Sequence, residues 1–288
     1  MEILELKNVS LVYGAGTPYE MKALDNIDLS FSAGRITGLI GHTGSGKSTL
    51  VQLLNGLLKP TSGTVMLDGR DIWAEPKKIR DIRFRVGLVM QYPEYQLFDE
   101  TVRADIAFGL RNMKIPEDEM GPRVEKAADF AGLDPVYLDK SPFDLSGGQR
   151  RRAAIAGVIA MEPEVLVLDE PAAGLDPMGR KEILGGVKRF SRESGTTVII
   201  VSHSMEDMAQ YCDDVAVLAK GRLFMRGTCS EVFGHAEKLC EVGLDIPNIT
   251  RVNAELRRLG LPLPQDVYTV EYAADRIAEL LERGGGAT

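Results

Sequence analysis

The sequence predicts an α/β fold, with a mostly parallel sheet wrapped by crossover helices and a smaller antiparallel β layer beside it. Three observations carry this. Five short apolar runs alternate with helical patterns, strand-like stretches near the start have no helix between them, and the chain changes character after about Cys240. A chain of 288 residues, 44 % hydrophobic and 26 % charged, has ordinary globular composition and enough length for a sizeable core.

The first 35 residues read as short strands and turns. Ile3, Leu4, Leu6 and Val9 open the pattern, and Ile27, Leu29 and Phe31 alternate with polar residues as in a half-buried strand. Residues 64–67 with Asp68-Gly69 form a further strand and turn, completing the antiparallel layer. Residues 36–40, 86–90, 165–168, 197–201 and 215–218 are continuous apolar runs, the pattern of strands covered on both faces. Helical patterns over 47–58, 117–131, 149–161 and 179–193 lie between them, which predicts a parallel sheet with crossover helices.

Pro247, Pro262 and Pro264 punctuate the tail. Val270, Ala273, Ala274, Ile277, Leu280 and Leu281 then fall at helical spacing with Thr269 as N-cap, a helix that packs on its own domain or faces a partner. Residues 284–288 are expected to be disordered.

Lys and Arg number 34 against 42 Asp and Glu, a net charge of −8. That balance argues against broad, phosphate-driven binding of nucleic acid, while leaving room for a local anion pocket. Cys212, Cys229 and Cys240 form no CxxC pair and no disulfide framework, which fits a reducing cytosol. Residues 1–5 lack the layout of a signal peptide, and the strongest uncharged stretch, 153–161, is about half a membrane span. A membrane role is therefore expected to act through a partner.

The run 36–40 leads directly into Gly41-His42-Thr43-Gly44-Ser45-Gly46-Lys47-Ser48-Thr49 and an apolar-periodic helix. This matches G-x-x-x-x-G-K-[ST] in its strand–loop–helix setting and predicts a P-loop NTPase. The glycines let backbone N–H groups turn onto phosphate oxygens, and the helix N-terminus adds its dipole. Lys47 is expected to bridge the β- and γ-phosphates and Ser48 to place a hydroxyl on Mg²⁺.

The strand 165–168 ends in Asp169-Glu170, delivering two acids to the sheet edge where doubly wound folds bind ligands. Asp169 is expected to hold Mg²⁺ and Glu170 to polarise an attacking water, with desolvation raising its pKa towards that of a useful base. Leu145-Ser146-Gly147-Gly148-Gln149 opens a second helix with a serine hydroxyl and two glycines. One nucleotide cannot easily use two helix N-termini of one domain, so a second subunit is implied.

With LSGGQ between the phosphate loop and Leu168-Asp169-Glu170-Pro171, the chain resembles ATP-binding-cassette (ABC) ATPase subunits over residues 1 to about 240. The resemblance implies a nucleotide-binding domain over 1–240, with a helical subdomain at about 92–160 and a C-terminal extension over 241–288. It implies a head-to-tail dimer, with ATP and Mg²⁺ as cofactors. Each ATP lies between one phosphate loop and the partner's signature segment, here Ser146, Gly147, Gly148 and Gln149 acting in trans.

By the same resemblance Tyr13 stacks on adenine, with Tyr19 a competitor for that role. Gln91 senses Mg²⁺ and the γ-phosphate and contacts the membrane subunit. Asp176, in Ala173-Gly174-Leu175-Asp176-Pro177, crosses the dimer interface, and His203 orients the attacking water. Arg150, Arg151 and Arg152 read mainly as helix surface near the phosphates, and His42 as a backbone contributor.

A narrower resemblance lies in Gln91-Tyr92-Pro93-Glu94-Tyr95-Gln96-Leu97-Phe98, Thr101-Val102, residues 105–109 and Asn55-Gly56-Leu57-Leu58-Lys59-Pro60. These look like energy-coupling factor transporter ATPases, nearest their second type, and the extension fits that group as well. The resemblance implies uptake of a vitamin or transition-metal ion, working from the cytoplasmic face of the cell membrane. The implied partners are a related second ATPase, a transmembrane coupling subunit and a substrate-binding membrane subunit, with no nucleic acid.

Physically, Tyr92, Tyr95, Leu97 and Phe98 offer an apolar groove for a partner helix. Ala172 and Ser204 depart from the threonine and aspartate common in relatives; neither is an inferred phosphate ligand. A subunit of another ABC importer or exporter shares all the chemistry. A chromosome or repair ATPase head is disfavoured, because only 98 residues separate Lys47 from Ser146 and leave no room for a coiled coil.

Overall fold

A computed structural model describes residues 1–284. β1 (Glu2–Tyr13) and β2 (Met21–Ser32) form a hairpin, and β3 (Ile36–Ile40) runs through the glycine loop into α1 (Lys47–Leu54). β4 (Ser62–Leu67) and β5 (Arg70–Asp71) return to the hairpin, then α2 (Ile79–Arg85) leads into β6 (Val86–Val89). Three helices follow: α3 (Val102–Met113), α4 (Glu117–Phe130) and α5 (Gly147–Ile159). β7 (Val165–Asp169), α6 (Pro177–Ser194), β8 (Thr197–Val201), α7 (Met205–Tyr211), β9 (Asp214–Ala219) and β10 (Arg222–Thr228) complete the sheet region. α8 (Cys229–Phe233), α9 (Ala236–Glu241), α10 (Asn248–Arg258) and α11 (Val270–Gly284) form the tail.

Two sheets result. The antiparallel layer has the order β2-β1-β4-β5, and the larger sheet β10-β9-β3-β8-β7-β6 is parallel except for β10. Every residue of β3, β7 and β8 is buried, and side-chain alternation sends them into two cores. Ile36, Ile40, Leu166, Leu168, Val198 and Ile200 pack with the helices. Leu39, Val165, Val167, Ile199 and Val201 pack with α1 and the antiparallel layer. This double burial is why these strands read as unbroken apolar runs.

Several boundaries differ from expectation. α1 stops at Leu54, four residues early, because Asn55 turns its amide onto the Val86 carbonyl and Gly56 takes φ +70° against Ile79. α3 covers residues that stand out in the sequence as a motif rather than as a helix. It is capped by Thr101, which accepts from Ala104 N, and ended by left-handed Lys114. β10 is an addition to the expected strands. It follows the two-residue turn Lys220-Gly221, both at positive φ, which matches the twist of a tight hairpin.

In the tail Thr269 caps α11 as expected, accepting from Tyr272 N at 3.3 Å. Leu239, Leu244 and Ile246 join the helix-side core, and Tyr268 stacks near Phe233. Of the end expected to be disordered, Gly284 closes α11 and 285–288 lie outside the described residues. Among the described residues no helix is long and apolar enough to cross a membrane.

Candidate functional site

The register of the parallel sheet brings four strand ends to one edge. Leu39 pairs with Val201, Asp169 with Val201, and Val89 with Leu168. The glycine loop after β3, the acids at the end of β7, Gln91 beyond β6 and His203 beyond β8 therefore emerge together. This is the crevice beyond the strand ends where open α/β sheets take ligands.

The glycine loop is shaped for an anion. Gly44 and Gly46 adopt φ +79° and +103°, and a Cβ on Gly46 would lie 2.7 Å from Leu24. Lys47 Nζ donates to the carbonyls of Gly41 and His42 at 2.5 and 3.1 Å, curling the loop around its own ammonium. Ser45 Oγ is buried without a hydrogen-bond partner among the described residues. The His42 ring is occupied locally, 2.7 Å from the Thr43 carbonyl. Tyr13, at the end of β1, places its hydroxyl 3.3 Å from Thr49 Oγ1 on the first turn of α1, whereas Tyr19 is 87 % exposed in the following turn. The structure thus brings Tyr13 to the loop.

Burial dominates the electrostatics. It lowers the Lys47 pKa, opposed by the charges of Glu170 and Asp169. It raises Asp169, opposed by Lys47 and a hydrogen bond from Ser48. Glu170 is pushed up to about 7, first by burial and then by the neighbouring Asp169. His203 is held below its ordinary value by burial and by Lys47. Glu170 sits at φ +53°, a left-handed turn fixed by its N–H donating to the Val201 carbonyl. His203 Nε2 approaches Glu170 Oε1 to 3.4 Å without satisfying it, so that buried carboxylate oxygen has no hydrogen-bond partner among the described residues. A raised, desolvated carboxylate with a free lone pair is suited to take a proton.

The donor set also fits Mg²⁺. The Ser48 hydroxyl and Asp169 carboxylate are adjacent hard oxygen donors beside the glycine loop. The described residues hold no group of three or more His, Cys, Asp or Glu able to bind a metal by themselves. A cation here would complete its shell with phosphate oxygens and water, the usual habit of Mg²⁺.

Ser146 caps α5 in a reciprocal box: its Oγ accepts from Gln149 N at 3.3 Å and its own N–H donates to Gln149 Oε1 at 2.9 Å. A cavity of about 480 Å³ joins Ser146, Gly148 and Gln149 to Gly174, Leu175 and Asp176, and no phosphate-loop residue lines it. Asp176 is exposed and caps α6 by accepting from Gly179 N at 2.7 Å.

The arginine run needs correction. Arg151 is only 4 % exposed, forked onto Glu94, because α5 turns it inward beneath the 93–96 turn. Arg152 is tied to the Gly132 carbonyl and Glu182. Sequence reasoning also passes over Asp207, buried on α7 beside Arg180 and raising the pKa of Glu170. The residue types give no warning, since burial of a charged side chain leaves no mark on local pattern.

Strand, phosphate loop, paired acids and histidine together define a P-loop ATPase of the cassette class. A profile described as ABC transporter matches residues 24–173. The energy-coupling factor transporter ATP-binding protein EcfA2 of Clostridium acetobutylicum is 50 % identical over 97 % of this chain and 98 % of its own length. Its counterpart in Clostridium perfringens is 50 % identical over 96 % and 98 %. Among solved structures, cbiO1 of Clostridium perfringens, described as part of the ABC transporter complex cbiONQ, aligns with a TM-score of 0.75 and 40 % identity over 90 % of this chain and 97 % of that one. A dimeric ATP-binding cassette in a post-hydrolysis state with ADP and Pi aligns at 0.71 and 27 % identity over 78 % and 98 %. The chain belongs to the ABC transporter family, in the branch of energy-coupling factor ATP-binding subunits.

Proposed function

We propose that this chain hydrolyses ATP to drive an importer of a vitamin or transition-metal ion, docked on membrane subunits at the cytoplasmic face. The phosphate loop from Gly41 to Thr49 holds the triphosphate, with Lys47 at the β- and γ-phosphates and Tyr13 against adenine. Ser48, Asp169 and Gln91 hold Mg²⁺, which when bound offsets the charge of the phosphates. Glu170 accepts a proton from the attacking water and His203 orients that water and the γ-phosphate. Ser146, Gly147, Gly148 and Gln149 complete the site of a related second ATPase, and Asp176 crosses between the two. The division into a cassette over 1–240, a helical subdomain at about 92–160 and an extension over 241–288 belongs to this reading. It is supported by the mutual packing of α3, α4 and α5 and by the contact of α10 with α11.

The observation that carries the membrane-partner reading is a cavity of about 580 Å³ reached by the segment that follows Gln91 in sequence, lined by Phe84, Leu97, Phe98, Phe108, Val158 and Met161 among others. Phe98 and Phe108 stand edge to face at 5.0 Å and are 59 % and 44 % exposed. Of the four residues expected to form the groove, Leu97 and Phe98 line this cavity, while Tyr92 and Tyr95 do not and instead lie 6.2 Å apart, ring to ring. Such an apolar slot suits a helix from another subunit. Phe108→Asp should abolish co-purification with co-expressed membrane subunits while ATP binding persists. Undiminished co-purification would contradict the docking site.

A further inference from the structure

We propose that Arg151 is a positioning residue that links the partner-docking segment to the turn carrying Glu170, so that occupancy of the groove is felt at the hydrolytic carboxylate. The proposal rests on the reading of the groove and of Glu170 given above.

One guanidinium joins three stretches distant in sequence. Arg151 lies on α5, and its Nε and Nη2 donate to the two oxygens of Glu94 at 3.1 and 2.9 Å. Its Nη1 donates to the carbonyl of Ala173. The side chains of Arg151 and Glu94 are 5 % and 15 % exposed, so water competes little for these bonds. A planar fork serves two acceptors at fixed angles, which an ammonium on a flexible stem cannot do.

Both ends of this link are attached to constrained backbone. Glu94 belongs to the turn Pro93–Gln96, entered through Tyr92 at φ +59°, a left-handed conformation costly for a bulky residue. The guanidinium lies 5.9 Å from the Tyr92 ring centroid, helping to hold that conformation one residue beyond Gln91. At the other end Ala173 N donates to the Glu170 carbonyl at 3.2 Å, closing the turn in which Glu170 is also left-handed. Leu97 and Phe98, which line the groove, follow directly after the Pro93–Gln96 turn. A helix entering the groove therefore pushes on a segment whose buried charged anchor is shared with the Glu170 turn. Separating a buried ion pair leaves a charge without its partner, which is costly, so the two segments tend to move together.

The test uses the ATPase pair assembled with its membrane subunits, comparing wild type, Glu94→Gln and Arg151→Lys for ATP turnover, KM for ATP, co-purification and thermal melting. Arg151→Lys keeps the charge but loses the fork, so it separates folding from geometry. The expected result is a fall of at least about 10-fold in kcat for both variants, with KM within about 2-fold and assembly retained. Wild-type kcat in both would overturn the proposal. So would joint loss of assembly, ATP affinity and melting temperature in both, which would make the pair structural only. Failure of wild type itself to assemble or hydrolyse ATP would instead overturn the functional reading on which the link rests.

Discussion

In the proposed mechanism the chemistry turns on Glu170, and its environment makes two predictions. If Glu170 accepts the proton from water as proposed, Glu170→Gln should keep ATP binding and lose at least about 100-fold in turnover. Near-normal hydrolysis by the variant would assign the base elsewhere. The second prediction concerns stability. Its pKa is raised from 4.5 to about 7 in the folded chain, so its contribution is intact below 4.5 and lost as pH rises through about 7. In nucleotide-free protein, Glu170→Gln should therefore gain on wild type by roughly 2 kcal/mol between pH 5 and pH 8. Denaturant melts at the two pH values measure this, and an equal difference at both would mean the carboxylate is not desolvated. The phosphate loop, Asp169, Glu170 and His203 were legible because each follows an apolar strand in a recognisable order. Arg151, Glu94 and Asp207 were not, because what distinguishes them is burial created by segments far away in sequence.

At the scale of elements, the buried strands could be read because covering both faces leaves few polar positions. α3 and β10 could not: α3 is short, partly exposed and embedded in a motif, and β10 is an edge strand with every other residue exposed. Helix packing depends on details that pattern does not carry. On α6, a Cβ at Gly185 would meet open space, whereas a Cβ at Gly186 would fall 1.9 Å from the Phe130 carbonyl of α4. Gly186→Ala must push two helices apart and should destabilise by about 1–3 kcal/mol. Gly185→Ala should be neutral or gain up to about 1 kcal/mol from helix propensity. Urea midpoints of the two variants check the contrast, and equal effects would mean that α4 and α6 do not approach so closely.

At the scale of the molecule, the signature helix lines a cavity that no phosphate-loop residue reaches, and on the shared-site reading each of the two needs a second chain to complete it. This was legible only as an implication of two anion-binding helix starts in one domain, since no residue pattern states how two chains meet. Ser146→Arg should abolish hydrolysis in the site formed by the partner's phosphate loop while leaving nucleotide binding by this chain intact; loss of binding here, measured with a fluorescent ATP analogue, would contradict a shared site. The central claim, that ATP is split only between two cassettes, is tested most directly by turnover per chain across a dilution series, alone and with the related ATPase. The rate per chain should climb with concentration or partner as dimers form and vanish in strictly monomeric protein. A constant rate down to monomer would contradict it.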